Sequence, residues 1–251
     1  MFTRLRPLLA LCLAFLIRPA QAETLLVAAA ADLRGVLEPL AQQLEQQHSG
    51  LRVSISFGSS GKLATQIEQG APFAVYFAAD ERYPARLHAA GLTLGAPQRY
   101  ARGRLVLWLP QQESGSAQLE DLRDARYRHF AIANPAHAPY GQRAQQALQA
   151  AGLWEALDGR LVLAENVAQA VQLIDSGAAD GGIVAWSLLY GTPLAQRGRW
   201  LLIDPALHDP LWQAAVVTRA GADQPAAAAL LALVLSPDGR AQLQSRGFEL
   251  P

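Results

Sequence analysis

Short apolar runs alternate with helical patterns along this chain, and this alternation constrains its fold more than any other feature of the sequence. Strand-like runs at residues 24–29, 51–57 and 73–78 alternate with apolar side chains at helical spacing over residues 32–44, 60–69 and 81–90. The order strand, helix, strand, helix, strand predicts a parallel sheet covered by helices.

The same rhythm continues around a polar stretch at residues 111–128, which predicts a loop with one short helix. Strands are predicted at 105–109, 130–133, 160–163, 181–184 and 213–218, and helices at 141–150, 167–176, 224–235 and 237–246. No flexible linker separates the two α/β units, so we expect two lobes with a cleft between them. Ligands of open α/β sheets bind beyond the C-terminal ends of the strands, which makes the strand-to-helix turns the expected functional positions.

The first 22 residues are typical of a secretory signal peptide. Arg4 and Arg6 form a basic start, and residues 7–17 form an apolar run that is too short to span a bilayer. Residues 20–22, Ala-Gln-Ala, match a small-x-small cleavage motif. We therefore expect cleavage after Ala22 and a periplasmic mature protein.

Composition excludes several function classes for the mature chain. Its only cysteine, Cys12, lies in the predicted signal, so the exported protein has no disulfide and depends on its hydrophobic core. Loss of Arg4, Arg6 and Arg18 takes the formal net charge from 0 to −3. A near-neutral chain without basic clusters is not typical of nucleic-acid binding. Without cysteines or histidine pairs at ligand spacing, no residue is predicted to bind a metal cation.

Four predicted strand-to-helix turns carry residues that suit an anion. They are residues 30–32 (Ala-Ala-Asp), 58–61 (Gly-Ser-Ser-Gly), 134–141 and 165–167 (Glu-Asn-Val). The free N–H groups of a first helical turn point outward and carry partial positive charge, so they bind anions. Four convergent turns would form a donor-rich site without a cation, in which each hydrogen bond to a charged group contributes about 1.5–3 kcal/mol.

The Gly-Ser-Ser-Gly turn has other interpretations when it is taken alone. It is typical of a solvated loop, and Gly61-Lys62 lacks the remaining positions of a phosphate-binding P-loop, so Lys62 is interpreted as a solvent-facing residue. Nucleophilic catalysis by Ser59 or Ser60 would need a histidine and an orienting acid. No spacing selects one of the five histidines, and His137 is interpreted as an ordinary hydrogen-bonded loop residue.

Tyr140, within the third turn, is compatible with two roles. Its ring can pack in the core, or its hydroxyl can donate a hydrogen bond into the cleft. The residue pattern alone does not favour either role.

With these turns, the chain resembles the periplasmic molybdate-binding proteins of ABC uptake systems. The resemblance rests on segments that occur in the family's order over essentially the whole mature chain: VAAAADL (27–33), SFGSSG (56–61), QIEQGAP (66–72), FAADE (77–81), GRLVLW (103–108), ANP (133–135) with APYG (138–141), AENV (164–167) and GF (247–248).

The resemblance implies an α/β, two-lobed periplasmic-binding-protein fold of type II, in which each lobe is a sheet flanked by helices and the ligand cleft lies between them. Lobe I is expected to comprise residues 23–102 and 215–251, and lobe II residues 103–214.

The implied function is capture of molybdate or tungstate and delivery to an inner-membrane ABC permease with its cytoplasmic ATPase. The protein is expected to be a monomer without a cofactor or catalytic activity. The alternatives are a receptor for another oxyanion, such as phosphate or sulfate, and a secreted serine hydrolase.

The resemblance also implies the residues that hold the oxyanion. They are Ala31, Asp32, Ser60, Tyr140 and Val167, with Val167 acting through its backbone N–H. Family members with a binding tyrosine at a later position differ from this chain, which has Ala185 there.

Asp32 departs from the family pattern, in which serine, threonine or asparagine is common around this position. A carboxylate that faces molybdate would repel it. The favoured interpretation is that Asp32 turns away, caps its own helix and presents only its backbone N–H. The other is that Asp32 accepts a proton-bearing oxygen, which suits hydrogen phosphate better than a fully deprotonated dianion.

Overall fold

The computed structural model describes residues 23–111 and 115–251. The predicted signal peptide at residues 1–22, with its basic residues, Cys12 and the cleavage motif, lies outside the described residues. None of the described helices has both the length and the apolar character needed to span a membrane.

The described residues form strands and helices in an order close to the predicted one. The strands are β1 (Glu23–Ala30), β2 (Leu51–Gly58), β3 (Val75–Ala78), β4 (Gln98–Gly103), β5 (Leu105–Leu109), β6 (Gly115–Ser116), β7 (Phe130–Ala133), β8 (Leu161–Ala164), β9 (Gly181–Ala185), β10 (Arg199–Leu202) and β11 (Leu211–Val217). The α-helices are α1 (Arg34–Gln47), α2 (Ser60–Glu68), α3 (Arg82–Ala89), α4 (Pro139–Ala150), α5 (Val167–Asp175), α6 (Pro225–Leu235) and α7 (Pro237–Ser245).

The first sheet is mixed, with the strand order β2-β1-β3-β11-β4. The prediction of parallel strands is confirmed for β1, β2 and β3, whereas β11 runs antiparallel to both β3 and β4. Strand β4 was not predicted, because its residues, Gln-Arg-Tyr-Ala-Arg-Gly, include two arginines and a glutamine and do not form an apolar run. We call this sheet and its covering helices α1, α2, α3, α6 and α7 the first lobe.

The second sheet has the order β6-β10-β5-β9-β7-β8. Its strands β7, β8 and β9 are parallel, while β5 runs antiparallel to β9 and β10. Helices α4 and α5 pack on it, and together they form the second lobe. The short helix expected within residues 111–128 is a 3₁₀ helix at Leu119–Arg123.

The chain passes between the two sheets twice, from β4 to β5 through Arg104 and from β10 to β11 through residues 203–210. The first sheet is therefore built from both ends of the described chain. The exact lobe boundaries proposed from the sequence stay a prediction.

The ends of the parallel strands of both sheets meet at one cleft. Ala30 at the end of β1, together with Ala31 and Ala79, belongs to the same buried cluster as the core of the second sheet. The two faces of the first sheet carry separate cores, one under α1 and α6 and one under α2 and α3. The strand ends therefore bring the strand-to-helix turns of the two lobes into contact.

Helix α4 begins at Pro139, two residues before the predicted start, so Tyr140 lies in its first turn. Proline is favoured at this position because the N–H that it lacks has no partner inside the helix. A side chain at Gly141 would collide with the carbonyl oxygen of Ala133 at the end of β7. Glycine is therefore required for the close approach of α4 to its strand.

We expect Gly141→Ala to destabilise the protein by about 1–3 kcal/mol, because the added methyl group overpacks a contact with rigid backbone. Urea unfolding of both proteins measures the difference. Gly95→Ala is the matched control: nothing lies within 4 Å of its added carbon, so we expect less than about 0.5 kcal/mol. Equal destabilisation by the two variants would contradict the close approach.

Candidate anion-binding site

A small cavity lies between the lobes where four turns converge, and its volume is about 10 Å³. It is lined by Ala30, Ala31, Asp32, Gly58, Ser59, Ser60, Ala79, Ala138, Pro139, Tyr140, Asn166 and Val167. All five residues predicted as ligands from the sequence are in this set, and their role in binding stays a prediction. The space is below the roughly 300–1,000 Å³ typical of drug-sized ligands, so it favours a small ligand.

Backbone N–H groups reach this cavity because helices begin there. Helices α2, α4 and α5 have Ser59, Ala138 and Asn166 as their N-caps, and a 3₁₀ helix begins at Ala31. In α5 the Asn166 side chain accepts hydrogen bonds from Ala168 and Gln169, at 3.0 Å each. Since a first turn has no intrahelical partners for its N–H groups, the N–H of Val167 stays available to a ligand.

Ser60 is held in one orientation by two hydrogen bonds within the first lobe. Its Oγ accepts from the Ala79 N–H at 3.0 Å, and its carbonyl oxygen accepts from the Tyr76 hydroxyl at 2.7 Å. Only 1% of the residue is exposed. With Oγ already accepting one bond, its proton is free to donate into the cavity.

The predicted helix cap by Asp32 is wrong, because its side chain caps no helix, while presentation of its backbone N–H to an anion stays a prediction. Asp32 lies inside a 3₁₀ helix at Ala31–Leu33, and α1 begins only at Arg34, with no side-chain cap. Its Oδ2 accepts instead from the Tyr140 hydroxyl at 2.9 Å and from Gln213 Nε2 at 2.7 Å. Its Oδ1 is buried without a hydrogen-bond partner among the described residues.

Gln213 was not predicted as a site residue, yet it hydrogen-bonds to two residues that line the cavity, Asp32 and Tyr140. Its Nε2 also lies 3.3 Å from the Tyr140 hydroxyl, and its Oε1 accepts from the Tyr100 hydroxyl at 2.7 Å. The sequence signal was one glutamine inside the otherwise apolar strand β11. A buried amide in such a strand needs hydrogen-bond partners, which here come from both lobes.

The ring of Tyr140 packs in the core, and its hydroxyl proton is used within the protein. The residue is 3% exposed and belongs to the buried cluster of the second lobe, while its hydroxyl lies at the cavity and donates to Asp32. Because Tyr140 is on α4 and Asp32 follows β1, this hydrogen bond joins the two lobes.

Asp32 is a buried acid beside neutral donors. Burial raises its pKa from the ordinary 3.8 to about 6, and hydrogen bonds from Gln213, from Tyr140 and from its own backbone N–H only partly oppose this shift. Burial next to this carboxyl also keeps the pKa of Tyr140 well above its usual range. None of the residues that line the cavity is Lys, Arg or His. The cavity therefore contains hydrogen-bond donors and one acid without a cation.

Further contacts hold the lobes together around the cavity. The Gly61 N–H donates to the His137 carbonyl oxygen at 2.9 Å, and Lys62 Nζ lies 2.6 Å from Glu165 Oε2. Lys62 is about half exposed, but it is paired with Glu165 of the opposite lobe, so its interpretation as only a solvent-facing residue was incomplete. These contacts close the cleft in this structure.

A buried ion pair closes a second part of the lobe interface. Arg143 of α4 lies 3.0 Å from Asp80, which follows β3, and both side chains are almost fully buried. Arg82 also pairs with Asp80 at 2.7 Å. The charge of this buried carboxylate is thus compensated, in contrast to that of Asp32.

The structure brings one serine and one histidine together. Ser59 Oγ lies 2.8 Å from His137 Nδ1, an arrangement that the sequence did not single out. Burial and the nearby Lys62 lower the pKa of His137. Within the described residues, no carboxylate hydrogen-bonds to the His137 ring, so the orienting acid of a catalytic triad is missing from this pair.

The described residues also contain no group of three or more His, Cys, Asp or Glu side chains that could hold a metal ion.

Comparisons with known proteins agree with this geometry. The family model described as "bacterial extracellular solute-binding protein" matches residues 25–249. The molybdate-binding protein ModA of Azotobacter vinelandii is 36% identical over 250 residues, which cover 99% of each chain. ModA of Rhodobacter capsulatus is 32% identical over 92% of this chain and 90% of that protein.

The solved structure of the periplasmic molybdate-binding protein of A. vinelandii superposes with a TM-score of 0.84 and 36% identity, and the match covers 90% of this chain and 99% of that one. These comparisons confirm the two-lobed type II periplasmic-binding-protein fold that the sequence predicted.

Asp32→Asn is expected to stabilise the ligand-free protein at neutral pH. Because the folded-state pKa is raised, the stability contribution of Asp32 is present in full below pH 3.8 and is lost as the pH rises through about 6. Asparagine avoids this loss of up to about 3 kcal/mol, so its advantage over wild type should grow between pH 4 and pH 8. Thermal unfolding across this pH range measures it, with the exposed Asp223→Asn as control. A constant difference between wild type and Asp32→Asn would argue against a buried, uncompensated carboxylate.

Proposed function

We propose that this chain, which belongs to the bacterial extracellular solute-binding proteins, captures molybdate or tungstate in the cavity between its lobes and delivers it to an ABC permease. Two ModA relatives that cover at least 90% of this chain support this ligand. The matched A. vinelandii protein is periplasmic, which supports the same location for this chain.

The observation that carries the proposal is the convergence of donors from both lobes on a cavity without a cation. Helix starts of α2, α4 and α5 and the 3₁₀ turn at Ala31 line this small cavity. A tetrahedral oxyanion presents acceptor oxygens in several directions and so matches donors that arrive from several sides. Neutral donors also impose selectivity by geometry, since a lysine or arginine would attract any anion.

Each proposed ligand residue has a distinct donor. In the first lobe these are the backbone around Ala31 and Asp32 and the hydroxyl and N–H of Ser60. In the second lobe they are the backbone N–H groups of Tyr140 and Val167, since the single hydroxyl proton of Tyr140 is donated to Asp32. Five to seven such bonds at about 1.5–3 kcal/mol each, less the costs of desolvation and closure, are compatible with sub-micromolar affinity.

Capture works by closure of the two lobes. An anion that bridges donors on both lobes binds the closed state more tightly and so increases its population. The two chain crossings near Arg104 and residues 203–210 form the hinge in this proposal. The permease, with its cytoplasmic ATPase, recognises the closed monomer, and the protein itself catalyses no reaction.

A receptor for phosphate is the second candidate, and one observation favours it. The buried Asp32 Oδ1 lacks a donor among the described residues, and a proton-bearing oxygen of hydrogen phosphate could supply one. The secreted hydrolase has weaker support, because no acid among the described residues orients His137 next to Ser59.

Calorimetric titration with molybdate, tungstate, sulfate and phosphate tests the proposal. We expect tight binding of molybdate and tungstate and at least tenfold weaker binding of the other two anions. Tight binding of phosphate without binding of molybdate would replace the proposed ligand with the second candidate. Labelling of Ser59 or Ser60 by a fluorophosphonate probe would instead support the hydrolase.

Ser60→Ala is expected to weaken molybdate binding by about 1–3 kcal/mol, because a donor to a charged ligand is lost. Titration of the folded variant measures the change. The matched control is Ser245→Ala at the exposed end of α7, where the hydroxyl donates to the Gln242 carbonyl oxygen. If Ser60→Ala binds as tightly as this control, Ser60 does not contact the ligand.

A further inference from the structure

One oxygen in the cavity has no described partner. Asp32 Oδ2 accepts two hydrogen bonds, from Tyr140 and Gln213, whereas Oδ1 accepts none from the described residues and is buried. The residue lines the cavity and is 1% exposed. Leaving a charged oxygen buried without a donor costs free energy, so Oδ1 marks an incomplete part of the site.

The groups around Asp32 do not compensate a negative charge. Tyr140 comes from α4, Gln213 from β11 and Tyr100 from β4, and the Ser187 hydroxyl donates to the Asp32 carbonyl oxygen. All four side chains are neutral near pH 7.

The charged residues near the cleft have partners of their own. Lys62 pairs with Glu165, Arg143 with Asp80, and Arg34 at the start of α1 with Glu38, while His137 bonds to Ser59. An ionised Asp32 would therefore face an entering dianion with its repulsion uncompensated.

We propose that Asp32 binds the oxyanion as a neutral carboxylic acid, whose proton sits on Oδ1 and donates to an oxygen of the anion. This inference rests on the proposed oxyanion function. Oδ2 already accepts two donors, which leaves Oδ1 as the oxygen that carries the proton. The proton comes from solvent when the anion enters, and it returns to solvent when the anion leaves.

This arrangement makes capture depend on pH in a defined way. Burial raises the pKa of Asp32 to about 6 in the ligand-free protein, and a dianion beside the carboxyl raises it further. Below about pH 6 the acid is already neutral, so affinity changes little with pH. Above about pH 6, Asp32 takes up one proton for each anion that binds. The affinity then falls about tenfold per pH unit, or roughly 50-fold between pH 6 and pH 8.

The protonation state also selects the kind of anion. A neutral Asp32 offers a donor, which suits a fully deprotonated dianion such as molybdate. An ionised Asp32 offers an acceptor, which suits an anion that brings its own proton, such as hydrogen phosphate. The same residue thus distinguishes the two candidate ligands by where the proton lies.

Calorimetric titration of wild type and Asp32→Asn with molybdate, from pH 5.5 to 8.5, tests the inference. Titration at pH 8 in two buffers with different ionisation enthalpies counts the protons taken up. Wild type should take up close to one proton per molybdate bound and lose affinity roughly 50-fold between pH 6 and pH 8. In Asp32→Asn the amide nitrogen replaces the donor on Oδ1, so we expect tight binding without proton uptake or pH dependence.

Exposed Asp223→Asn is the matched control and should keep the wild-type pH profile. Wild-type binding that is independent of pH and takes up no proton would overturn the inference and leave the proposed function intact. Loss of molybdate binding in Asp32→Asn alone would also overturn it, because an acceptor rather than a donor would then be required. If neither protein binds molybdate at any pH, the proposed function itself fails.

Discussion

The hydrogen bond from the Tyr140 hydroxyl to Asp32 spans the two lobes, and the geometry of the cavity depends on it. Asp32 follows the end of β1 and Tyr140 lies in the first turn of α4, so this bond forms only when the strand ends of the two sheets face each other across a closed cleft. Gln213 on β11 bonds to the same carboxylate oxygen and extends the network to Tyr100. One connected set of buried polar groups therefore joins the two lobes at the cavity.

The two buried acids at the lobe interface, Asp80 and Asp32, differ in whether a cationic side chain compensates their charge. Asp80 forms ion pairs with Arg143 and Arg82, and its pair with Arg143 joins the two lobes. Asp32 has only neutral donors among the described residues, and burial raises its pKa. No cationic side chain from the described part of the chain lines the cavity, so the proposed anion would be selected by neutral donors, and the charge of Asp32 would depend on pH and on the ligand. Lys62, the only lysine of the sequence, stays outside the cavity in its pair with Glu165.

Local patterns predicted the elements that carry the site but missed those that complete the sheets. Apolar runs identified β1 and β7 to within one residue at each end, because buried parallel strands are continuously apolar. The alternating apolar pattern of the half-exposed edge strand β2 identified its bounds equally well. Strand β4 was missed because its arginines and glutamine leave no apolar run, and its pairing with β11 joins segments more than 100 residues apart. The pairs Ser59–His137 and Lys62–Glu165 were missed because their residues lie 78 and 103 positions apart in the sequence.

The sequence by itself determined the alternation of strands and helices, and with it the four strand-to-helix turns that line the cavity. This is local information, because helix starts and apolar periodicity are properties of neighbouring residues. The burial of Asp32 and its hydrogen-bond partners were decided only by the tertiary structure. Its sequence neighbours favour a helix cap, but the donors on its side chain come from Tyr140 and Gln213, which are 108 and 181 residues away. Only folding brings these groups together and buries the carboxyl, and burial changes its chemistry.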